Sequence, residues 1–214
     1  MAGANTPWRD MPLADYEGHM RLPTVGQAEM LADEFEAALR ALRPTEVAMA
    51  GCAGGNGFDR AARCGVARMV GLDINPQFLA EAERRYRGAF PRLELVCVDL
   101  EGDPPAIAPV ELVFAGLLFE HVEVAPALRS VRALCRPGAA LVVVLQLPSQ
   151  SAAAVTPSPY ESVQRVASHM RFVAPHDLQA AAEGQGFALK SMREFTLSTG
   201  KPFGVLTFAL DAAR

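Results

Sequence analysis

The segment Glu46-Val-Ala-Met-Ala-Gly-Cys-Ala-Gly-Gly-Asn-Gly-Phe58 limits what this chain can fold into more than any other stretch. A short apolar run leads into Gly51, Gly54, Gly55 and Gly57, and a helix-compatible stretch comes next. That order reads as a buried strand, a tight turn and a helix start. Glycines gather in such a turn because the backbone passes close to something bulky and a Cβ would be in the way. Sixteen residues past Gly57, a second apolar run, Met69-Val-Gly-Leu-Asp-Ile-Asn75, carries Asp73 at its tip. In nucleotide-binding α/β sheets an acidic residue there grips a ribose through its hydroxyls. Together the two features point to an adenosine-containing cofactor.

The rest of the chain extends the alternation. A helix is expected from Thr24, where Thr24 and Gln27 have capping-box spacing, with an apolar stripe at Leu31, Phe35, Leu39 and Leu42 and a stop at Pro44. Strands are expected at 47–52, 69–74, 93–98, 112–118 and 140–147. Between them come helices at 57–64, from Asn75-Pro76 to Arg87, and at 126–135, the last ended by Arg136-Pro137-Gly138. This implies a parallel sheet covered on both faces. After Pro148 a Ser-, Ala- and Pro-rich stretch leads to short helices at 160–170 and 175–184. Two strands at 187–197 and 203–210 close the chain, and the link between them is so short that they must pair antiparallel. The first two dozen residues read as irregular.

At 214 residues the chain suits one domain with a full core, and 50% apolar against 21% charged residues suits a soluble globule. A net charge of −4 argues against a nucleic-acid partner. Cys52, Cys64, Cys97 and Cys135 contain no Cys-x-x-Cys pair and read as small hydrophobes in a reducing compartment. No run is long enough to span a bilayer, and Met1 to Pro12 holds no signal-like apolar stretch, so a cytoplasmic location is expected.

Two cofactor classes compete for the glycine loop. Gly51-x-x-x-Gly55-x-Gly57 has the spacing of NAD(P)-dependent short-chain dehydrogenases, which need a Tyr-x-x-x-Lys pair. Here Tyr16, Tyr86 and Tyr160 are followed four residues on by Met20, Phe90 and Gln164. The second class fits in more places. Ala50–Gly57 resembles the first motif of class I S-adenosylmethionine-dependent methyltransferases, and Val70–Asn75 resembles their second. Asp99-Leu100 resembles the segment just past their third strand. The run Leu112–Val122 resembles their fourth-strand motif, and Leu134-Cys-Arg-Pro-Gly138 resembles the entry to their fifth strand. The resemblance implies a Rossmann-like doubly wound sheet of seven strands, mostly parallel with an antiparallel C-terminal strand. It implies S-adenosyl-L-methionine held by Gly51, Cys52, Ala53, Gly55, Asn56, Asp73, Ile74, Asp99, Leu100, Ala115 and Gly116. The chain departs from the family's pattern at Met49, where an acidic residue is usual, and at Ala53, which replaces a glycine.

The activity so implied is methyl transfer to a small molecule. The domain divides into an N-terminal lid and helix (1–43), a cofactor-binding core (44–148) and a substrate-side insert with the antiparallel strands (149–214). The acceptor pocket is expected beneath residues 8–27 and 149–171, with Trp8, Tyr16, Met20, Tyr160, Met170 and Phe172. His121, His19 and Tyr16 are the candidate proton-handling groups, and no divalent-metal site is expected. Truncation of residues 1–23 is expected to leave the fold intact. The alternative class is a non-catalytic relative that keeps the fold as a binding protein.

Overall fold

A computed structural model describes residues 6–150 and 152–211. The first five residues of the segment read as a lid, Ser151 of the insert and the last three residues lie outside the described ones. The elements run α1 (Leu13–Arg21), α2 (Gln27–Leu42), β1 (Glu46–Ala50), α3 (Phe58–Arg63), β2 (Arg68–Asp73), α4 (Pro76–Tyr86), β3 (Arg92–Cys97), β4 (Val110–Gly116), α5 (Val124–Leu134), β5 (Cys135–Gln146), α6 (Glu161–Gln164), α7 (Pro175–Glu183), β6 (Phe187–Thr196) and β7 (Pro202–Leu210). A tighter helical turn, Arg165–Ser168, extends α6. Seven strands form one sheet in the order β3-β2-β1-β4-β5-β7-β6. β7 runs against the direction of the other six strands. The order reverses between β1 and β4, which pair in parallel with Ala50 opposite Ala115. A crevice therefore opens at their carboxyl ends, where α/β sheets bind ligands.

The apolar strands are long runs because both faces are covered. Val113, Ala115, Leu141 and Val143 point to one face and pack with Leu128 and Val131 of α5 and Leu178 of α7. Leu112, Phe114, Val142 and Val144 point to the other, against Leu31, Phe35 and Leu39 of α2 and Phe58 of α3. Three residues of the predicted α2 stripe thus cover the sheet, while the fourth, Leu42 at the helix end, is exposed. Asn75 caps α4 as expected, its Oδ1 accepting from Gln77 N–H at 2.9 Å and Phe78 N–H at 3.4 Å.

Four sequence readings change. The N-terminal segment is not irregular, because Leu13–Arg21 forms α1. Thr24 does not cap α2. A tight turn after α1 consumes residues 22–26, Val25 N–H and Gly26 N–H both donating to Leu22 O at 2.8 Å, and α2 begins after Gly26. The fifth strand begins at Cys135 instead of 140, since Cys135 already pairs with Val110 and Arg136-Pro137-Gly138 bulges out before Ala140 meets Leu112. Cys97, on the edge strand β3, is exposed instead of buried in a core, whereas Cys52 and Cys135 are buried. Among the described residues no helix is long and apolar enough to cross a membrane.

Candidate functional site

At the end of β1 the chain turns sharply. Gly51 N–H and Cys52 N–H both donate to Leu72 O, at 2.9 and 3.0 Å, which pins the turn to β2. Gly51 (φ 74°) needs the left-handed region, and a Cβ there would come within 3.3 Å of Leu118. Ala53 holds φ 46° despite having a Cβ, a strained conformation of the sort that collects at ligand sites. Its N–H is held by Asp73, whose Oδ2 accepts it at 2.8 Å while Oδ1 accepts Asn75 N–H at 2.9 Å. Desolvation pushes the Asp73 carboxyl upward, opposed by bonds from the Asn75, Ala53 and Ile74 amides. With three amide donors on a carboxylate of about four acceptor sites, one position remains for a ribose hydroxyl.

Met49 packs into the apolar cluster with Met30 and Leu31. Carboxylates reach the loop from two other places. One is Asp73; the other is Glu17 of α1, whose Oε1 lies 2.8 Å from where a Cβ on Gly54 would sit. Glu17 is ion-paired with Arg85 of α4, and Arg85 also bonds Glu81 at 2.7 Å. Asn75 adds a second tie. While its Oδ1 caps α4, its Nδ2 donates to Trp8 O at 2.9 Å and Met11 O at 3.1 Å. The arm before α1 is therefore bolted to the second-strand motif.

Beyond β3, Asp99 accepts Glu101 N–H at 3.0 Å and lies 3.7 Å from the Arg9 guanidinium. At the end of β4, Leu117 takes φ 54°, its N–H donating to Val144 O at 2.9 Å. This turn delivers Leu118, Glu120 and His121 to the crevice. The His121 ring meets Trp8 edge-on at 4.8 Å, Trp8 meets Tyr16 at 5.7 Å, and Tyr16 stacks on Phe78 at 5.9 Å. Trp8 Nε1 and His121 Nδ1 are buried without a hydrogen-bond partner. Burial lowers the His121 pKa to about 4, so its imidazole is neutral at pH 7. Burial, with Asp73 and Glu17 nearby, drives the Tyr16 phenol well above its ordinary value.

Two cavities meet along this wall. The larger, about 840 Å³ with its open mouth, runs from Asp99 and Leu100 past Asp73 and Gly51 to Leu118 and His121. The smaller, about 540 Å³, lies behind Leu117 between α1, α2 and the insert. Trp8, Tyr16, Leu117 and His121 line both.

Of the residues assigned to the cofactor from sequence, Gly51, Ala53, Asp73, Ile74, Asp99, Leu100 and Gly116 line the larger cavity. The other four stand behind it. The Cys52 side chain packs over Gly71, and Gly55 sits under Tyr86. Asn56 Nδ2 donates to Ala28 O at 2.9 Å, tying the loop to α2. Ala115 is buried within the sheet. Among the proton-handling candidates, His121 and Tyr16 stand on the shared wall, and His19 lines only the smaller cavity, with Nδ1 2.9 Å from Ser158 Oγ. Met20 and Met170, expected in the acceptor pocket, line that cavity. Tyr160 instead packs against Gly18, where any Cβ would overlap its hydroxyl, and Phe172 is exposed.

Sequence reasoning missed Gln27, Glu120, Gln146 and Lys201, all buried and all on the smaller cavity. Two signals could have found some of them: Glu120 ends an otherwise apolar run, and Lys201 is one of only two lysines. Among the described residues no cluster of His, Cys, Asp and Glu could hold a metal ion.

Comparison with known proteins matches residues 47–138 to a methyltransferase domain family. No curated protein sequence matches the chain. Among solved structures the chain is similar to magnesium protoporphyrin IX methyltransferase from Synechocystis PCC 6803 with bound SAM, at 13% identity over 99% of this chain and 100% of that one, with a TM-score of 0.71. It is similar to the N-methyltransferase NodS from Bradyrhizobium japonicum WM9 in complex with S-adenosyl-L-homocysteine, at 15% identity over 97% and 93%, with a TM-score of 0.65. It also resembles the cyclase SpnF, at 15% identity over 88% and 83%, with a TM-score of 0.68. At these identities the likeness to solved structures is one of fold.

Proposed function

We propose that the chain is a class I S-adenosylmethionine-dependent methyltransferase, a reading supported by the methyltransferase-domain match over residues 47–138, and that it transfers the sulfonium methyl, in line, to a small organic acceptor. The observation that carries this reading is the meeting of two cavities at one wall of Trp8, Tyr16, Leu117 and His121. The larger suits the cofactor by its own chemistry. Asp73 keeps an acceptor position for a ribose hydroxyl, Ile74, Val98 and Leu100 offer apolar surface to a flat base, and Asp99 stands at its edge. Gly51 leaves room where a side chain would intrude.

Bound there, the cofactor supplies a methyl group already activated by its positive sulfur, which leaves alignment and exclusion of water to the protein. Trp8 and Tyr16 serve the second need, closing aromatic surface over the junction. Tyr16 keeps its proton at any working pH and so acts as a donor, not a base. His121 presents a neutral imidazole able to take a proton from an acceptor that must lose one. His19 is neutral as well, lowered by burial and by the Lys201 charge, and stands deeper in the smaller cavity.

The resemblance to SpnF, a cyclase by name on the same fold, motivates a second reading in which the site binds the cofactor without transferring its methyl. Calorimetry with S-adenosylhomocysteine and with NAD, then turnover of labelled cofactor against a metabolite extract, separates the readings. Label transfer supports the methyltransferase. Cofactor binding without transfer supports the second reading, and binding of NAD alone overturns both.

A further inference from the structure

The smaller cavity is mostly apolar, with Met20, Val155, Val163 and Met170 in its walls, yet beside Tyr16, His19 and His121 a carboxyl and an ammonium are sunk into it. Glu120 is fully buried; Oε1 accepts Gln146 N–H at 2.6 Å, while Oε2 has no partner. Lys201 is only 3% exposed. Its Nζ donates to Ala154 O at 2.8 Å, and among the described residues no carboxylate pairs with it. Gln146 joins the two groups. Its backbone holds Glu120, and its side-chain Nε2 donates at 2.8 Å to the same Ala154 carbonyl on which Lys201 rests. Gln27 Nε2 in turn donates to Gln146 Oε1 at 3.2 Å and orients it. The carboxyl and the ammonium therefore line one cavity with Gln146 as their common neighbour.

A buried ammonium with one carbonyl for company and a carboxyl oxygen with none carry a heavy desolvation cost in the empty site. Each is relieved by one kind of ligand group: an acid accepts from the ammonium, and an O–H or N–H donates to the carboxyl. The acid is a carboxylate instead of a phosphate, because the cavity offers a single cation and no arginine to match a dianion. Burial leaves Lys201 titrating at about 8 and Glu120 at about 7. At neutral pH the ammonium is charged, and the ionised form of Glu120 offers Oε2 as an acceptor, since Oε1 already takes the Gln146 N–H.

We propose that the smaller cavity is the acceptor subsite for a small hydroxy- or amino-carboxylic acid, whose carboxylate bonds Lys201 Nζ and whose hydroxyl or amino hydrogen bonds Glu120 Oε2. This rests on the methyl-transfer reading for the word acceptor, not for the chemistry of the pocket. The donor group then lies on the side of His121, next to the wall shared with the cofactor.

The test uses the full chain saturated with S-adenosylhomocysteine and probes it by ligand-observed NMR and calorimetry with glycolate and 3-hydroxybenzoate. Controls are their methyl esters and the matched acids that lack the hydroxyl, acetate and benzoate. At least one hydroxy acid should bind tenfold or more tightly than both of its controls. Lys201→Met should abolish the preference over the ester, and Lys201→Arg should retain it. Glu120→Gln should reduce the preference over the deoxy acid several-fold. Melting curves and the S-adenosylhomocysteine titration of each variant report whether it is folded. Binding of no acid, or equal binding of acid and ester, overturns the subsite even if the cofactor binds normally. Acid binding that depends on Lys201, in a protein that ignores S-adenosylhomocysteine, leaves the subsite standing and removes the methyl-transfer reading.

Discussion

The two cavities are built by different rules. The larger is made mostly by successive strand ends: those of β1, β2, β3 and β4 with the loop after each, closed by Trp8 and Tyr16 of the N-terminal arm. The smaller is made by strangers. His19 comes from α1, Gln27 from α2, Glu120 from the loop after β4, Gln146 from the end of β5, Val163 from α6 and Lys201 from the link before β7. One side relies on backbone and glycine; the other relies on side chains from six separated segments. On the proposed function, the cofactor side can stay the same while the acceptor side is rebuilt, which is how one fold serves many substrates.

The sharpest way to break this comparison is to remove the arm that joins the two sides. Truncation of residues 1–23 uncovers the surfaces packed against Met11 and Met20, both buried. It also strips Asn75 Nδ2 of both its acceptors. Contrary to the expectation from sequence, it should cost on the order of 5 kcal/mol of stability, from lost burial and an orphaned polar group. Urea denaturation of the truncated chain measures this. An unchanged midpoint would make the arm a detachable lid.

Asn75→Ala makes a finer cut, removing the α4 cap and both arm bonds together. A loss of about 2–4 kcal/mol is expected, from the cap and from two stranded carbonyls. The same denaturation assay reads it.

On the cofactor side alone, Asp73→Ala should weaken S-adenosylhomocysteine by about 1.5–3 kcal/mol, the range for a hydrogen bond to a charged group. Asp99→Ala should cost less, since Asp99 stands at the cavity edge and is shared with Glu101 N–H and Arg9. Calorimetric titration of both variants tests the order. Equal, negligible losses would place the cofactor elsewhere.

On the acceptor side the signature is pH. Glu120, at about 7 in the fold against an ordinary 4.5, holds its proton more tightly folded than unfolded. Its contribution to stability therefore fades as pH rises from about 4.5 to about 7. His121, at about 4 against 6.5, stays neutral in the fold and contributes stability that fades as pH falls from about 6.5 to about 4. The neighbours oppose each other across the shared window. Glu120→Gln should make Tm climb more steeply with pH between 5 and 6.5 than in the wild type, and His121→Asn should flatten or reverse the climb, each by about 1–3 kcal/mol over the window. Parallel Tm–pH curves for all three proteins would mean that neither group is as buried as the structure places it. The smallest expected effect is none: cofactor affinity and label transfer should be unchanged by a chelator, since the described residues offer no ligand cluster.

The asymmetry also explains what could be read in advance. Gly51, Asp73, Asn75 and Asp99 were legible because each acts within a few residues of its own strand end, where local chemistry and spacing speak directly. The second duty of Asn75, holding Trp8 and Met11, was not legible, because its partners lie more than sixty residues away in sequence. Thr24 misled for the same reason: its spacing to Gln27 fits a capping box, but the turn imposed by α1 claims it first.

The sequence alone determined the strand–helix alternation, the glycine turn, the acidic strand tips and the antiparallel close, because periodicity and turn chemistry are local properties of the chain. The tertiary structure decided which polar side chains share a buried cavity. Glu120, Gln146 and Lys201 lie on three segments that meet only after the sheet has closed β7 against β5. No pattern within any one segment encodes that meeting, since the desolvation that makes these groups chemically distinctive exists only once the other segments have covered them.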